Sequence, residues 1–361
     1  MTNAYMPGLQ LSRIFYAEAV QPILARRFPQ LRYSAGLLGS GSDVQCFDTA
    51  QSMDHDWGPR LLLFLLDEDH AVYHEQLDVI LRSELPLEIR GFPTNFAGHE
   101  SVTRWMQPIS VGPVNHGVKI VLYRGFFADY LKRDPDQVMR VIDWLTVPGQ
   151  IFREVTGGEI FHDDLNLRIF RERIHYYPHD VWLYLLSAQW MRIGQEAPFA
   201  GRSAQVGDEL GSRIIATRLV RDIMWLCFLL EKQHVPYIKW FGTAFERLKI
   251  APRLSPILLG TLSAANWSER ERYLCAACEI IAQAHNALNI TQPGPTQVSN
   301  FHDRPFKVIQ AEAFANLTRA AITDPEVLAL PAHIGASDQF VDSTDVLSNP
   351  IFIERLKAMF V

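Results

Sequence analysis

The sequence predicts a mixed α+β fold: helices laid on a small mixed sheet, followed by a larger all-helical domain. Three observations lead there. Leu61-Leu62-Leu63-Phe64-Leu65-Leu66 is a continuous apolar run bounded by charge and turn signals, the pattern of a strand covered on both faces. A glycine-serine turn, Gly39-Ser40-Gly41-Ser42, precedes it. From about Asp136 strand signals fade and long helical patterns follow one another.

In chain order, residues 11–29 carry Leu11, Ile14, Phe15, Ala19, Val20, Ile23 and Leu24 at helical spacing, which predicts an amphipathic helix. Residues 33–38 read as a short strand running into the turn, and 61–66 as the buried strand. The stretch 74–85 is helical, 87–92 alternates like a strand, and 119–124 is a further strand. Helices are then expected over 136–146, 179–196, 204–234, 237–248, 268–288 and 307–321. The strongest pattern, 206–233, keeps apolar residues on one face with Arg213, Arg218 and Arg221 interspersed. A boundary in the region 130–145 divides a first domain, 1–135, from a helical bundle, 136–361, expected to close a cleft. Residues 291–300, with Pro293 and Pro295, read as a connector.

At 361 residues, 48% of them apolar, the chain can build two modest cores. A net charge of −6 argues against a nucleic-acid partner, whose binding rests on clustered Lys and Arg. No apolar run reaches the roughly 18 residues of a membrane span, and no basic segment followed by an apolar one opens the chain. Cys46, Cys227, Cys275 and Cys278 are too scattered for a disulfide framework. The expected location is cytoplasmic. Cys275-Ala276-Ala277-Cys278 resembles a zinc half-site, but it lies in the helical run 269–287 with no second ligand pair, so helix packing is the better reading.

The chemistry concentrates at Leu38-Gly39-Ser40-Gly41-Ser42-Asp43 and Asp54-His55-Asp56. A tight Gly-Ser turn presents backbone N–H groups and hydroxyls to a phosphate. Two aspartates one residue apart on a strand point to the same face and can share a divalent cation. No Lys-Ser/Thr follows the turn, so it is not a Walker A loop, and the Gly-x-Gly-x-x-Gly spacing of a dinucleotide fold is missing.

The pattern resembles that of polymerase-beta-type nucleotidyltransferases: a hydrophobic residue, Gly, then Gly or Ser, a gap, and Asp-x-Asp. Thirteen residues separate Gly39-Ser40 from Asp54, or eleven if the turn is read at Gly41-Ser42. The resemblance implies a third carboxylate on a neighbouring strand, for which Glu88 is the candidate. It also implies Mg²⁺ held by Asp54, Asp56 and Glu88, with Gly39, Ser40, Gly41 and Ser42 around the phosphates of a nucleoside triphosphate, ATP being expected. Pro59, in Trp57-Gly58-Pro59-Arg60, cannot donate to a sheet ladder, which sets Asp56 just before the regular strand. Further segments are similar to a family of microbial proteins that carries a domain-of-unknown-function label and is grouped with nucleotidyltransferases. They are Gly39-Ser40-Gly41-Ser42-Asp43, Asp54-His55-Asp56-Trp57-Gly58-Pro59-Arg60, Gly207-Asp208-Glu209-Leu210-Gly211-Ser212-Arg213, Lys239-Trp240-Phe241-Gly242-Thr243 and Asp338-Gln339-Phe340-Val341-Asp342-Ser343-Thr344.

The architecture also resembles antibiotic-modifying nucleotidyltransferases, whose helical domain supplies a carboxylate base and cations for the triphosphate. On that likeness Lys239 is a phosphate-binding candidate, or else a snorkelling surface group. Glu159, after Gly157-Gly158, is the general-base candidate, against a polar turn with a helix cap at Asp163 or Asp164. Arg60 either contacts phosphate or pairs with a nearby acid. Glu209 with Arg213, and Asp208 at a helix start, have ordinary structural explanations, as do Trp182, Trp190 and Trp225 in the core. The expected function is transfer of a nucleoside monophosphate, AMP foremost, to a hydroxyl on a small molecule or protein. The alternative is a nucleotide-binding regulator that has kept the fold without the catalysis.

Overall fold

The computed structural model describes residues 5–99 and 103–360. Its fold is α+β, with a small mixed sheet and a larger helical part. The chain forms two compact units, the first running to Val138 and including Ile151–His175, the second made of Met139–Gln150 and Tyr176 onward. A single cut near 135 therefore gives way to a chain that leaves the first unit, returns to it and leaves again. The return is held by a strand that completes the sheet.

The first unit opens with α1 (Gly8–Phe15), a π-helical turn (Tyr16–Val20) and α2 (Gln21–Arg27). The widened turn leads into Pro22, which has no N–H to offer the carbonyl four residues back. Then come β1 (Ser34–Leu37), β2 (Arg60–Leu65), α3 (Asp67–Glu84), β3 (Glu88–Ile89), β4 (Phe92–Pro93), β5 (Phe96–His99), β6 (Thr103–Met106), β7 (Gly117–Leu122) and α4 (Tyr123–Leu131). After α5 (Val141–Thr146), which belongs to the second unit, α6 (Gly149–Thr156) leads back to β8 (Glu159–Asp163) and α7 (Leu167–Arg173).

Strand order in the main sheet is β7-β2-β1-β8. β2 and β7 run parallel, with Leu62 opposite Lys119, while β1 is antiparallel to both β2 and β8. Alternation along β2 sends Leu61, Leu63 and Leu65 into the apolar cluster built with Leu11, Phe15, Leu77 and Leu81 of α1 and α3. Arg60, Leu62 and Phe64 take the opposite face, where Phe64 packs edge-on against Phe126 of α4. The expected single strand over 87–92 is instead a hairpin apart from this sheet. Arg90 and Gly91 both have positive φ, 52° and 82°, the conformation of a tight two-residue turn, and they fold β3 back on β4.

The second unit contains α8 (His179–Gln205), α9 (Glu209–Leu230), α10 (Ile238–Phe245), α11 (Ala251–Ser263), α12 (Trp267–Ala287), a two-strand ribbon β9 (Ser299–Asn300) and β10 (Lys307–Val308), and α13 (Ala311–Ala320). Helix α11 was masked in the sequence by Pro252 in its first turn and Pro256 within it. Gly207, at φ 78°, turns α8 into α9, and the Asp208 carboxylate caps the new helix by accepting the Gly211 N–H at 2.8 Å. Glu209 holds Arg213 one turn on at 2.7 Å, and the buried Arg270 of α12 donates to Ser212 Oγ at 2.9 Å. Trp182, Trp190 and Trp225 are core residues. Trp190 donates its indole N–H to His285 Nδ1 at 3.1 Å, and burial pushes that imidazole down to about 4. Cys275 and Cys278 lie on α12, where burial pushes both thiols up to about 12. Among the described residues no helix is long and apolar enough to cross a membrane.

Candidate functional site

The Gly-Ser turn leaves β1 with Gly39 and Gly41 at φ 91° and 144°, conformations that suit glycine. A Cβ on Gly41 would collide with the Arg60 guanidinium and the Asp43 carboxylate. That pair is the pin of the turn. Asp43 is 1% exposed, and Arg60, the first residue of β2, grips it with Nη2 at 2.5 Å and Nε at 3.1 Å. Of the two roles open to Arg60, the structure shows pairing with an acid. The turn's first two N–H groups are engaged as well. Gly39 donates to the Glu154 carbonyl at 2.8 Å and Ser40 to the Tyr130 hydroxyl at 3.3 Å. Ser40 and Gly41 are exposed and Ser42 is half-buried.

Asp54 closes a 3-10 turn, Ala50–Asp54, and its carboxylate meets His55 Nδ1 at 2.8 Å. Asp56 has φ 47° and is stitched to β6: its N–H donates to the Arg104 carbonyl at 2.7 Å, and its Oδ1 accepts the Arg104 N–H at 3.1 Å. The two aspartates therefore do not alternate along a strand, and β2 begins only after Pro59. Trp57 is an anchor, 1% exposed, with its indole N–H on Asp48 at 3.0 Å.

The expected metal triad is not assembled. Glu88 is exposed on the β3–β4 hairpin, outside the sheet that carries the turn. Neither neighbour of the site strand has a carboxylate: β1 reads Ser-Ala-Gly-Leu and β7 reads Gly-Val-Lys-Ile-Val-Leu. Among the described residues no group of three His, Cys, Asp or Glu side chains is placed to hold a metal ion. The donors present do not fit a three-carboxylate Mg²⁺ centre.

What the sheet does present is a small, open cleft of about 80 Å³ lined by Asp56, Arg60, Leu62, Phe96, Arg104 and Lys119, among others. Lys119 extends from β7 beside Leu62. Arg104 is buried, stacks over Phe96 at 4.9 Å and donates to the His116 carbonyl at 3.0 Å. With the Arg60 charge matched by Asp43, Arg104 and Lys119 against Asp56 leave the cleft a net charge of +1. Sequence reasoning missed Lys119, although it is the one charged side chain in an otherwise apolar strand, a signal that alternation could have exposed.

The other two predicted residues lie elsewhere. Glu159, on β8, is bound by Arg13 of α1 in a two-pronged ion pair, Nε to Oε1 at 2.8 Å. Asp163 accepts the N–H groups of Leu167 and Arg168 at 2.7 and 3.1 Å, capping α7. Lys239 belongs to the second unit, exposed on α10 with its ammonium 4.9 Å from the centre of the Trp240 ring. It is a side chain laid over its neighbour, which is the snorkelling alternative.

Residues 144–241 match the family described as "Domain of unknown function (DUF4037)". The DUF4037 match takes in Glu159, the α8–α9 hairpin and Lys239, and leaves the Gly-Ser turn and Asp54-His55-Asp56 outside it. Among solved structures, a nucleotidyltransferase-like protein from Exiguobacterium sibiricum 255-15 aligns over 82% of this chain and 83% of its own, at 12% identity and a TM-score of 0.31. A likeness of that size transfers no site residue. No curated protein matches the chain.

Proposed function

We propose that the first unit is a nucleotide-binding module of nucleotidyltransferase type that holds the triphosphate in its cleft by side-chain cations. The observation that carries this reading is Lys119 on β7, opposite Leu62 of β2, in a cleft that Arg60 and Arg104 also line. A triphosphate carries three to four negative charges, which must be offset on binding. Lys119 does so as a mobile point charge, and Arg60 adds its guanidinium edge at the base of the turn. Exposed Ser40 and half-buried Ser42 supply hydroxyl donors. The role that follows is nucleotide sensing. Nucleotidyl transfer to a hydroxyl acceptor is the second reading, favoured by the Asp56 carboxylate lining the same cleft.

Calorimetric titration with ATP, in Mg²⁺ and then in EDTA, with pyrophosphate release followed in parallel, separates the two. Binding that persists in EDTA and weakens by about 10-fold or more in Lys119→Glu supports the module. Metal-dependent pyrophosphate release lost in Asp56→Asn establishes the transferase instead. Absence of binding to any nucleoside triphosphate overturns both.

A further inference from the structure

The segment Asp338-Gln339-Phe340-Val341-Asp342-Ser343-Thr344 is singled out by resemblance in the sequence and has no part in the cleft of the first unit. In the second unit it borders a cavity of about 200 Å³. Trp225, Tyr237, Phe241 and Leu347 give this cavity aromatic and apolar walls, and Asp338, Arg221 and Asp342 give it its charges.

Asp338 is the unusual wall. Its side chain is 5% exposed. Oδ2 accepts the N–H of Gly149, the first residue of α6, at 2.8 Å, but Oδ1 has no hydrogen-bond partner. A carboxylate offers about four acceptor positions, and a buried one left short of donors is costly. The available cation does not remedy this, because Arg221 meets Asp342 at 3.3 Å. Counting these three groups, the cavity holds two carboxylates and one guanidinium, a net charge of −1.

The position of Asp338 is built rather than incidental. Its neighbour Gln339 is buried and donates to the Leu185 carbonyl at 3.2 Å and to Gln189 Oε1 at 2.9 Å. Gln189 in turn donates to the Asp222 carbonyl at 3.0 Å, and Arg192 grips the Asp222 carboxylate at 2.9 and 3.0 Å. This network clamps the segment to α8 and α9, so Asp338 is held at the cavity wall. Burial pushes the Asp338 carboxyl up to about 6, as expected of a carboxylate short of donors.

We infer that this cavity is a binding site for a small organic ammonium compound, its N–H donors meeting Asp338 Oδ1 and its apolar or aromatic body lying against Trp225, Tyr237 and Phe241. The ammonium supplies the missing donor and the missing positive charge together. The aromatic walls add cation–π attraction for the head and apolar contact for the body. Neutral or anionic ligands of the same shape leave the buried charge unmatched. The inference is independent of what the first unit binds.

The test is calorimetric titration of the full chain near pH 7.5 with tryptamine, phenethylamine and hexamethylenediamine, against the neutral isosteres tryptophol and phenethyl alcohol. At least one amine is expected to saturate at one equivalent, with its neutral isostere weaker by about 10-fold or more. Asp338→Asn keeps an acceptor for Gly149 and is expected to weaken the amine by a similar factor. Leu347→Trp leaves Asp338 in place and fills the cavity, so it is expected to abolish binding even if Asp338→Asn disturbs folding. The inference is overturned if no amine saturates below about 10 mM, if amine and isostere bind alike, or if a folded Asp338→Asn or Leu347→Trp chain binds as the parent does.

Discussion

Each unit buries a carboxylate, and the two are treated in opposite ways. Asp43, in the turn of the first unit, is 1% exposed and gripped on both oxygens by Arg60. Asp338, in the second, is 5% exposed; it has the Gly149 N–H on Oδ2 and its own N–H nearby, while Oδ1 has no hydrogen-bond partner. A buried charge whose hydrogen-bonding capacity is filled by its own fold is scaffold, because nothing is left for a ligand to satisfy. A buried charge left short is a liability that only a partner removes. By this criterion the aspartate inside the Gly-Ser turn is architectural, and the aspartate of the second unit marks a site.

The largest effect expected from this contrast lies at Asp43. Asp43→Ala leaves Arg60 without its partner at the base of the turn, and loss of one member of a buried pair typically costs about 3–5 kcal/mol. Urea unfolding followed by far-ultraviolet circular dichroism measures it. A cost below about 1 kcal/mol, the scale of an exposed pair, would break the comparison by showing that the pair does not hold the turn.

The second effect has the opposite sign. Burial raises the Asp338 carboxyl from 3.8 to about 6, against the Gly149 N–H, its own N–H and Arg221, which favour its charged form. Between those two values the folded chain binds more protons than the unfolded chain, so this group's contribution to stability falls as pH rises across the window. Above about pH 6 the full penalty applies, on the order of 3 kcal/mol at one pKa unit per 1.36 kcal/mol. Asp338→Asn is therefore expected to stabilise the chain at pH 8, with the gain shrinking to nothing by about pH 4. His285 works in the other direction: burial lowers it from 6.5 to about 4, so its contribution is lost as pH falls through that range. The difference between parent and Asp338→Asn melting curves isolates the aspartate, since His285 is common to both. Equal melting temperatures at pH 8 would mean that Oδ1 is satisfied after all.

The sequence made the two regions legible to different degrees, for physical reasons. Apolar periodicity exposed β2, α8, α9 and α12 because burial on a face leaves a direct trace in residue order. The turn was legible because glycine at positive φ has few substitutes, as Gly39 and Gly41 show. What failed was everything that depends on partners distant in the chain. Glu88 looked like a strand carboxylate because 87–92 alternates, yet Arg90-Gly91 turns that alternation into a hairpin. Glu159 looked catalytic beside two glycines, but those glycines admit β8 to the sheet edge, where a Cβ on Gly158 would run into the Leu37 carbonyl. Asp338 gave no sign of its burial, since a short polar segment far down the chain reads as surface until Gln339 is seen clamped onto α8.

The smallest effect tests the residue whose role changed most between sequence and structure. Glu159 is 33% exposed and Arg13 is 55% exposed, so water screens their ion pair. Pairs of this kind contribute about 0–1 kcal/mol. Glu159→Gln keeps the side chain's length and one acceptor, so it is expected to lower stability by about 0.5 kcal/mol and to leave ATP affinity unchanged. The reason is that the cations assigned to the triphosphate, Lys119 and Arg60, lie on β7 and β2, while Glu159 lies on the far edge strand β8. Intact ATP affinity together with loss of a metal-dependent pyrophosphate release would reverse the assignment. Glu159 would then be the base of a transferase, and the Arg13 pair a resting contact that substrate displaces.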